Sequence, residues 1–351
     1  MSNKAGEIIL ESRKKLVEKI IKNIEKGDLI FNKNWDSQMM MPQNPVSKAN
    51  YLGGNRIRLI AETIDKGYKD PRWVTFKQAE SNGWNIRKGE KGTLCEKWIF
   101  SKVEKSVDEN GKTIEKEIKL DKPIPNYFYV FNAEQVENIP KLEINNYTKN
   151  ETNEIIENFI SNSECKIKEI AQSKAYYNPR TDEIVLPSRE AFKSQEDFLA
   201  TTFHEMVHST GHKDRLDRDL TGIYGSDSYA REELVAELGA VFLQSKLGIK
   251  LEGEHFDNHS AYLKSWIEIL KNDPNELFRA AVQAEKAEER LYQRYAKYKE
   301  LNNEKVVENG KFEINKISEK EDKLLNTPKE YEKKNKTKIP KKKKEKEEKE
   351  R

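Results

Sequence analysis

The chain is poor in cysteine, in histidine and in long apolar runs, and each shortage excludes something. Cys95 and Cys165 are the only cysteines, seventy positions apart and in no CxxC arrangement. That argues against a disulfide-stapled secreted fold and fits a reducing compartment. No stretch approaches the roughly 20 apolar residues a membrane-spanning helix needs, so no membrane partner is expected. Residues 1–27 follow an amphipathic, charged pattern without the apolar centre of a signal peptide, and the expected location is the cytoplasm. Hydrophobic residues make up 35% and charged ones 36%, too lean a mixture for all 351 residues to share one compact core.

The net charge of +3 is unevenly spread. Residues 1–145 hold 26 Lys and Arg against 21 Asp and Glu, residues 146–300 hold 21 against 28, and residues 301–351 hold 17 against 12. A basic front, an acidic middle and a basic end suggest modules with different partners. The expected division is 1–145, 146–300 and a disordered Lys/Glu-rich tail from 301, whose composition cannot offset the entropy of ordering.

Periodicity predicts an opening helix over 6–27 and further helices over 53–64 and 75–81. Strands are expected at 94–103, 113–120 and 127–131, the first two joined at Asn110-Gly111, a pair suited to a tight hairpin turn. A helix at 153–162 and two strands, 175–177 and 183–186, should follow. Long helices are then expected at 195–209, 230–247, 260–272 and 274–298. The fold class is α+β: a small mixed helix–sheet module, then a second α+β domain.

The chemistry-bearing string is Phe203-His204-Glu205-Met206-Val207-His208-Ser209-Thr210-Gly211-His212. Helix positions i and i+4 share a face, so His204 and His208 can close on one cation. Zn²⁺ accepts imidazole nitrogen readily, and Glu205 can take a proton from a water whose pKa the metal lowers. Gly211 stands where the helix should end. All five histidines (204, 208, 212, 255 and 259) fall in the acidic half, which strengthens the metal reading over a polar helix face. His212 suits a role beside the site or facing substrate, whereas His255 and His259 read as surface residues.

A third ligand has two sources. The spacing HExxHxxGxxD would offer Asp214, but that residue sits among Lys213, Arg215, Asp217 and Arg218 and reads as surface charge. The competitor is Glu233, one turn before Glu237 in an otherwise apolar helix, where carboxylates are costly unless paired or metal-bound. Glu233 is favoured as ligand and Glu237 as the acceptor for a ligand imidazole, with the reverse left open. Tyr224 and Tyr229 are candidates to stabilise an oxyanion.

The front half carries Trp73 and Trp84 among Arg72, Lys77, Arg87, Lys88 and Lys91. Rings interleaved with cations suit single-stranded DNA, where bases stack and phosphates are neutralised. Composition alone leans slightly to a core of tryptophans under a solvated basic loop.

The ordered strings Asn44-Pro45-Val46, Tyr51-Leu52-Gly53-Gly54-Asn55, DPRWVTFKQA, IRKGEKGT and YFYVFNAEQ, with HEMVHSTGH, YAREELVAELGAVF and SAYLKSWIEILKNDPNELFRAAVQAEKA behind them, resemble the ArdC-type antirestriction proteins of mobile elements. The resemblance spans about residues 5–298. It implies a single-stranded-DNA-binding front domain, a zincin-like metallopeptidase behind it, and a role in carrying incoming DNA past host restriction. It carries the family's metal motif onto His204, Glu205 and His208 and its acidic helix onto Glu233 and Glu237. Asp214 gains nothing from it. The resulting expectation is a Zn²⁺-dependent peptidase acting on an unknown protein substrate. The alternative is a protein that protects DNA by coating it, with zinc only structural.

Overall fold

The computed structural model describes residues 4–26, 40–107, 113–142, 149–249 and 260–301. The expected Asn110-Gly111 turn, His255, His259 and the charged tail beyond Leu301 lie outside them. Sixteen principal elements run in chain order. In the front half they are α1 (Lys4–Glu25), α2 (Gly53–Lys66), β1 (Trp73–Thr75), α3 (Phe76–Ser81), β2 (Asn85–Ile86), β3 (Thr93–Val107), β4 (Thr113–Asn132) and β5 (Val136–Glu137). Behind them come α4 (Lys149–Ser161), β6 (Lys166–Ile170), β7 (Tyr176–Asn178), β8 (Glu183–Pro187), α5 (Gln195–Thr210), α6 (Asp227–Lys246), α7 (Ser260–Asn272) and α8 (Asn275–Leu301).

The front half holds a three-stranded sheet, β1-β4-β3, with α1 packed against β4 and α2 against β3. The strands expected at 113–120 and 127–131 are one strand. Pro123 and Pro125 suggest a break, because proline gives a ladder no donor. The chain instead keeps Pro125 in register opposite Trp98 and passes Pro123 at an irregularity where the register shifts between Ile99 and Ser101. Ile9, Leu16, Val17, Ile20, Ile21 and Ile24 form the buried stripe of α1. Helix α3 begins with a capping box, Thr75 accepting from the Gln78 N–H while the Gln78 side chain accepts from Thr75.

Glu96 on β3 binds the front half together. Its carboxylate accepts from Arg13 of α1 and from Arg58 of α2, the latter at 2.9 Å. Burial alone would raise this carboxyl, but the paired arginines hold it below the usual carboxylate range.

The back half has a three-stranded sheet, β6-β8-β7, parallel between β6 and β8 and antiparallel between β7 and β8. Strand β6 was not expected, because its Lys-Ile-Lys-Glu-Ile pattern is short and half charged. Helix α6 is the centre of this half: every residue from Glu232 to Ser245 is buried. Such a helix has neighbours all round, which are α5, α7 and α8. Gly239 lets α5 approach, since a Cβ there would sit 2.8 Å from Val207 Cγ1.

Elements on either side of position 145 pack together, α2 on α8 and α1 on α7, and the described residues fall in one compact unit. A Cβ on Gly54 would lie 2.3 Å from the Phe278 ring, so glycine sets how closely α2 meets α8. Arg56 of α2 donates to Glu288 of α8 at 2.6 Å and lies 3.7 Å over the Phe242 ring of α6.

Candidate metal centre and nucleic-acid surface

Helix α5 starts at Ser194, whose hydroxyl accepts from the Asp197 N–H, and buries Phe198, Leu199, Phe203, Met206 and Val207. That apolar side fixes the rotation of the helix and turns His204 and His208 towards α6. Their Nε2 atoms lie 3.1 Å apart. Glu233 of α6 faces both, with an oxygen 3.5 Å from each Nε2. Donor atoms of His204, His208 and Glu233 all fall within 4.8 Å of one another. Ligands about 2.05 Å from a tetrahedral zinc stand about 3.3 Å apart, so the observed spacing fits a shared cation.

The outer imidazole nitrogens are also engaged. His204 Nδ1 is 3.3 Å from Glu237 Oε1, and His208 Nδ1 is 3.0 Å from Glu232 Oε1. An ionised carboxylate can only accept, so each Nδ1 carries a proton, and Nε2 is the nitrogen left to a metal, which would displace any proton held there. Arg218 in turn donates to both oxygens of Glu232.

Burial and charge compete at every one of these groups. Burial disfavours the His208 imidazolium, yet Glu232 and Glu233 raise its pKa to about 9. His204 is shifted the same way by Glu237 and Glu233 against its own burial. Burial would raise the Glu233 carboxyl, but the two histidines hold it well below the usual range. Glu205 is raised by burial, with the imidazoles pulling the other way. The backbone of Tyr177, on edge strand β7, also lowers it. A buried carboxylate with a raised pKa beside such a cluster has the makings of a general base.

Spacing in the sequence pointed to His204, Glu205, His208, Glu233 and Glu237, and the structure brings them together. It leaves Asp214 out, with a side chain 75% exposed and its N–H donating to His212 Nδ1. Tyr224 is exposed on the loop before α6, and Tyr229 opens the helix with its ring 5.8 Å from that of Tyr224. Sequence reading missed Glu232 and Arg218. Glu232 was visible as the first of two adjacent acids in an apolar helix. Arg218 lies in an irregular loop, where no spacing rule applies.

Gly211 ends the helix, as its position suggested. It caps α5 with a right-handed backbone, φ −74° and ψ −7°, which any residue can adopt.

The front-half candidates divide. Trp73 is 0% exposed, in a cluster with Leu59, Cys95 and Val130. This corrects the base-stacking role expected for it, because a ring with no open face cannot receive a base. Arg72 is corrected likewise: it is buried and forked onto Asp70, with Nη2 to Oδ2 at 2.6 Å. Trp84 is half-buried beside Val74, Ala79 and Val136. Lys77, Arg87, Lys88 and Lys91 are exposed. Phe76 at 56% and Tyr129 at 49% exposure were not singled out from sequence. Tyr129 borders the Lys91-Gly92 turn, where a Cβ on Gly92 would lie 3.0 Å from Tyr129 Cβ.

Two packed helices presenting an HExxH pair to a buried glutamate define a zincin-like metallopeptidase domain, and residues 154–283 match the family model of that description. Residues 11–131 match the model of the N-terminal domain of anti-restriction factor ArdC. The crystal structure of antirestriction protein ArdC from plasmid R388, metal-free, superposes with a TM-score of 0.64 at 33% identity, over 81% of this chain and 98% of that one. The Mn(II)-bound structure of that ArdC gives 0.63 at 31% identity. The chain belongs to the ArdC antirestriction family. It is also 38% identical over 286 residues to an Escherichia coli protein named DNA primase TraC, across 78% of this chain and 26% of that protein. It therefore spans about a quarter of that relative's length. Among the described residues no helix is long and apolar enough to cross a membrane.

Proposed function

We propose that this chain is a single-stranded-DNA-binding antirestriction protein of a mobile element, acting in the cytoplasm, whose back half is a metal-dependent peptidase. The carrying observation is the convergence of His204, His208 and Glu233 with Glu205 buried in the same cluster. Two imidazoles and one carboxylate form a zinc set of the kind that leaves a position open for catalysis. The carboxylate also suits Mn(II), the ion in the R388 structure, so a divalent cation is the common ground and Zn²⁺ the first choice.

When bound, the cation would lower the pKa of a water and polarise the scissile carbonyl. Glu205 takes the proton of the attacking water and delivers it to the leaving amine. Glu237 and Glu232 keep the imidazoles in the tautomer that leaves Nε2 free. The functional division runs near residue 145, with the peptidase module over 146–300 and the charged tail as an addition.

The DNA-binding role falls to the exposed surface of the front module. Lys77, Arg87, Lys88 and Lys91 would neutralise phosphates, while Trp84, Phe76 and Tyr129 offer ring faces. The physical preference is for unpaired bases, since stacking needs them.

The test compares zinc-loaded wild type with Glu205→Ala on an unstructured protein substrate, with and without single-stranded DNA. The variant should keep its metal and lose cleavage. Cleavage at the wild-type rate in Glu205→Ala would overturn the assignment of the base.

A further inference from the structure

Arg218 makes four donations from one nearly buried guanidinium, its side chain 6% exposed. Nε reaches Glu232 Oε2 at 2.9 Å and Nη2 reaches Glu232 Oε1 at 2.7 Å, a fork across the whole carboxylate. Nη1 donates to Thr210 Oγ1 and Nη2 to the Val207 carbonyl, each at 2.8 Å. The residue thus ties the end of α5 to the start of α6, on the side of His208.

Glu232 Oε1 is the atom that faces His208 Nδ1. Without Arg218, nothing would hold both oxygens of this buried carboxylate, and Oε1 would turn away from His208 Nδ1. The His208 ring would then lose the acceptor that fixes its orientation, and Nε2 would no longer be aimed beside His204 Nε2 and Glu233. Gly211 belongs to the same device. Its backbone does not require glycine, but a Cβ there would lie 3.0 Å from Arg218 Nη2 and 2.9 Å from Leu220 Cδ2.

We propose that Arg218 is a positioning residue of the metal centre, acting on His208 through Glu232, and that Gly211 is small to leave the guanidinium room. The proposal rests on the metal-binding reading of His204, His208 and Glu233. Lysine cannot replace the arginine, because one ammonium cannot hold both carboxylate oxygens and two helix-end acceptors in the same plane.

The experiment is a calorimetric Zn²⁺ titration of the metal-stripped full chain as wild type, Arg218→Ala, Arg218→Lys, Gly211→Ala and His208→Ala. Thermal melts of the metal-free proteins run alongside. Both Arg218 variants should bind zinc about 10–100-fold more weakly. Gly211→Ala should lose less, in the same direction, and Arg218→Ala should add nothing further in a Glu232→Ala background. Should Arg218→Ala fail to fold, Arg218→Lys and Gly211→Ala carry the test. Wild-type zinc affinity in a folded Arg218 variant with a lowered melting temperature would reduce the residue to a structural clamp and overturn the proposal. Full rescue by lysine would overturn it as well. Absence of zinc binding in the wild type itself would instead remove the metal reading on which it rests, a result the His208→Ala control makes recognisable.

Discussion

The two halves of this chain use buried charge in opposite ways. In the front half both oxygens of Glu96 are taken by arginines, Arg13 and Arg58. In the back half Glu232, Glu233 and Glu237 are buried on one helix opposite two histidines, whose inward nitrogens meet at 3.1 Å. A carboxylate paired on both oxygens stabilises an architecture, whereas converging metal-binding atoms form a site that a cation would complete. Burial of charge alone therefore does not mark function. The direction in which donor atoms point does.

The largest expected effect separates the halves directly. His208→Ala should abolish stoichiometric zinc binding while leaving the front half folded, as seen by metal analysis and circular dichroism. Glu96→Gln should do the reverse, costing about 3–5 kcal/mol in chemical denaturation because two buried arginines lose their partner, with little change in zinc affinity. The pH dependence of this contribution has a definite sign. The folded Glu96 carboxyl is held below its unfolded value, so its stabilisation is full above the unfolded pKa of about 4.3 and is lost as pH falls through the folded one. A melting temperature that stays constant across that acid range in wild type would contradict the pairing.

Within the back half, substituting Glu233 should weaken zinc binding more than substituting Glu237, which acts through His204 by about 10–100-fold. The reverse order in a titration would exchange their roles.

Within the front half, Trp73→Ala should cost about 3–5 kcal/mol of stability as a core deletion. Phe76→Ala and Tyr129→Ala should leave stability nearly intact, Trp84→Ala should lose its packing on Val74, Ala79 and Val136, and each should weaken single-stranded DNA binding by about 1–3 kcal/mol for each base unstacked. Fluorescence anisotropy at low salt reads the second effect. If Trp84, Phe76 and Tyr129 are all silent there, the binding surface lies elsewhere.

The same contrast explains what the sequence disclosed. His204, Glu205, His208, Glu233 and Glu237 sit on two helices, where one-turn spacing fixes a shared face, so their meeting was legible from residue numbers. Helices α1, α2 and α5 to α8 were legible from apolar periodicity and their end signals. Arg218 was not, because a loop residue reaches its partner along an irregular path. Nor could composition divide Trp73 from Trp84. Both are rings among cations, and only the register Trp73↔Asn132, which places β1 beside β4, sends the first into the core. Strand β4 shows the limit of local rules: Pro123 and Pro125 argue for a break, and the long pairing with β3 overrides them through an irregular register.

The central claim is that the meeting of α5 and α6 builds one metal centre in which Glu205 is a base and not a ligand. Its most direct test is the zinc content of metal-stripped protein after titration and desalting, measured for wild type, Glu205→Ala and His208→Ala together. The account predicts about one zinc per chain in wild type and in Glu205→Ala, and none in His208→Ala. Stoichiometric zinc in His208→Ala, or its loss from a folded Glu205→Ala, would contradict it.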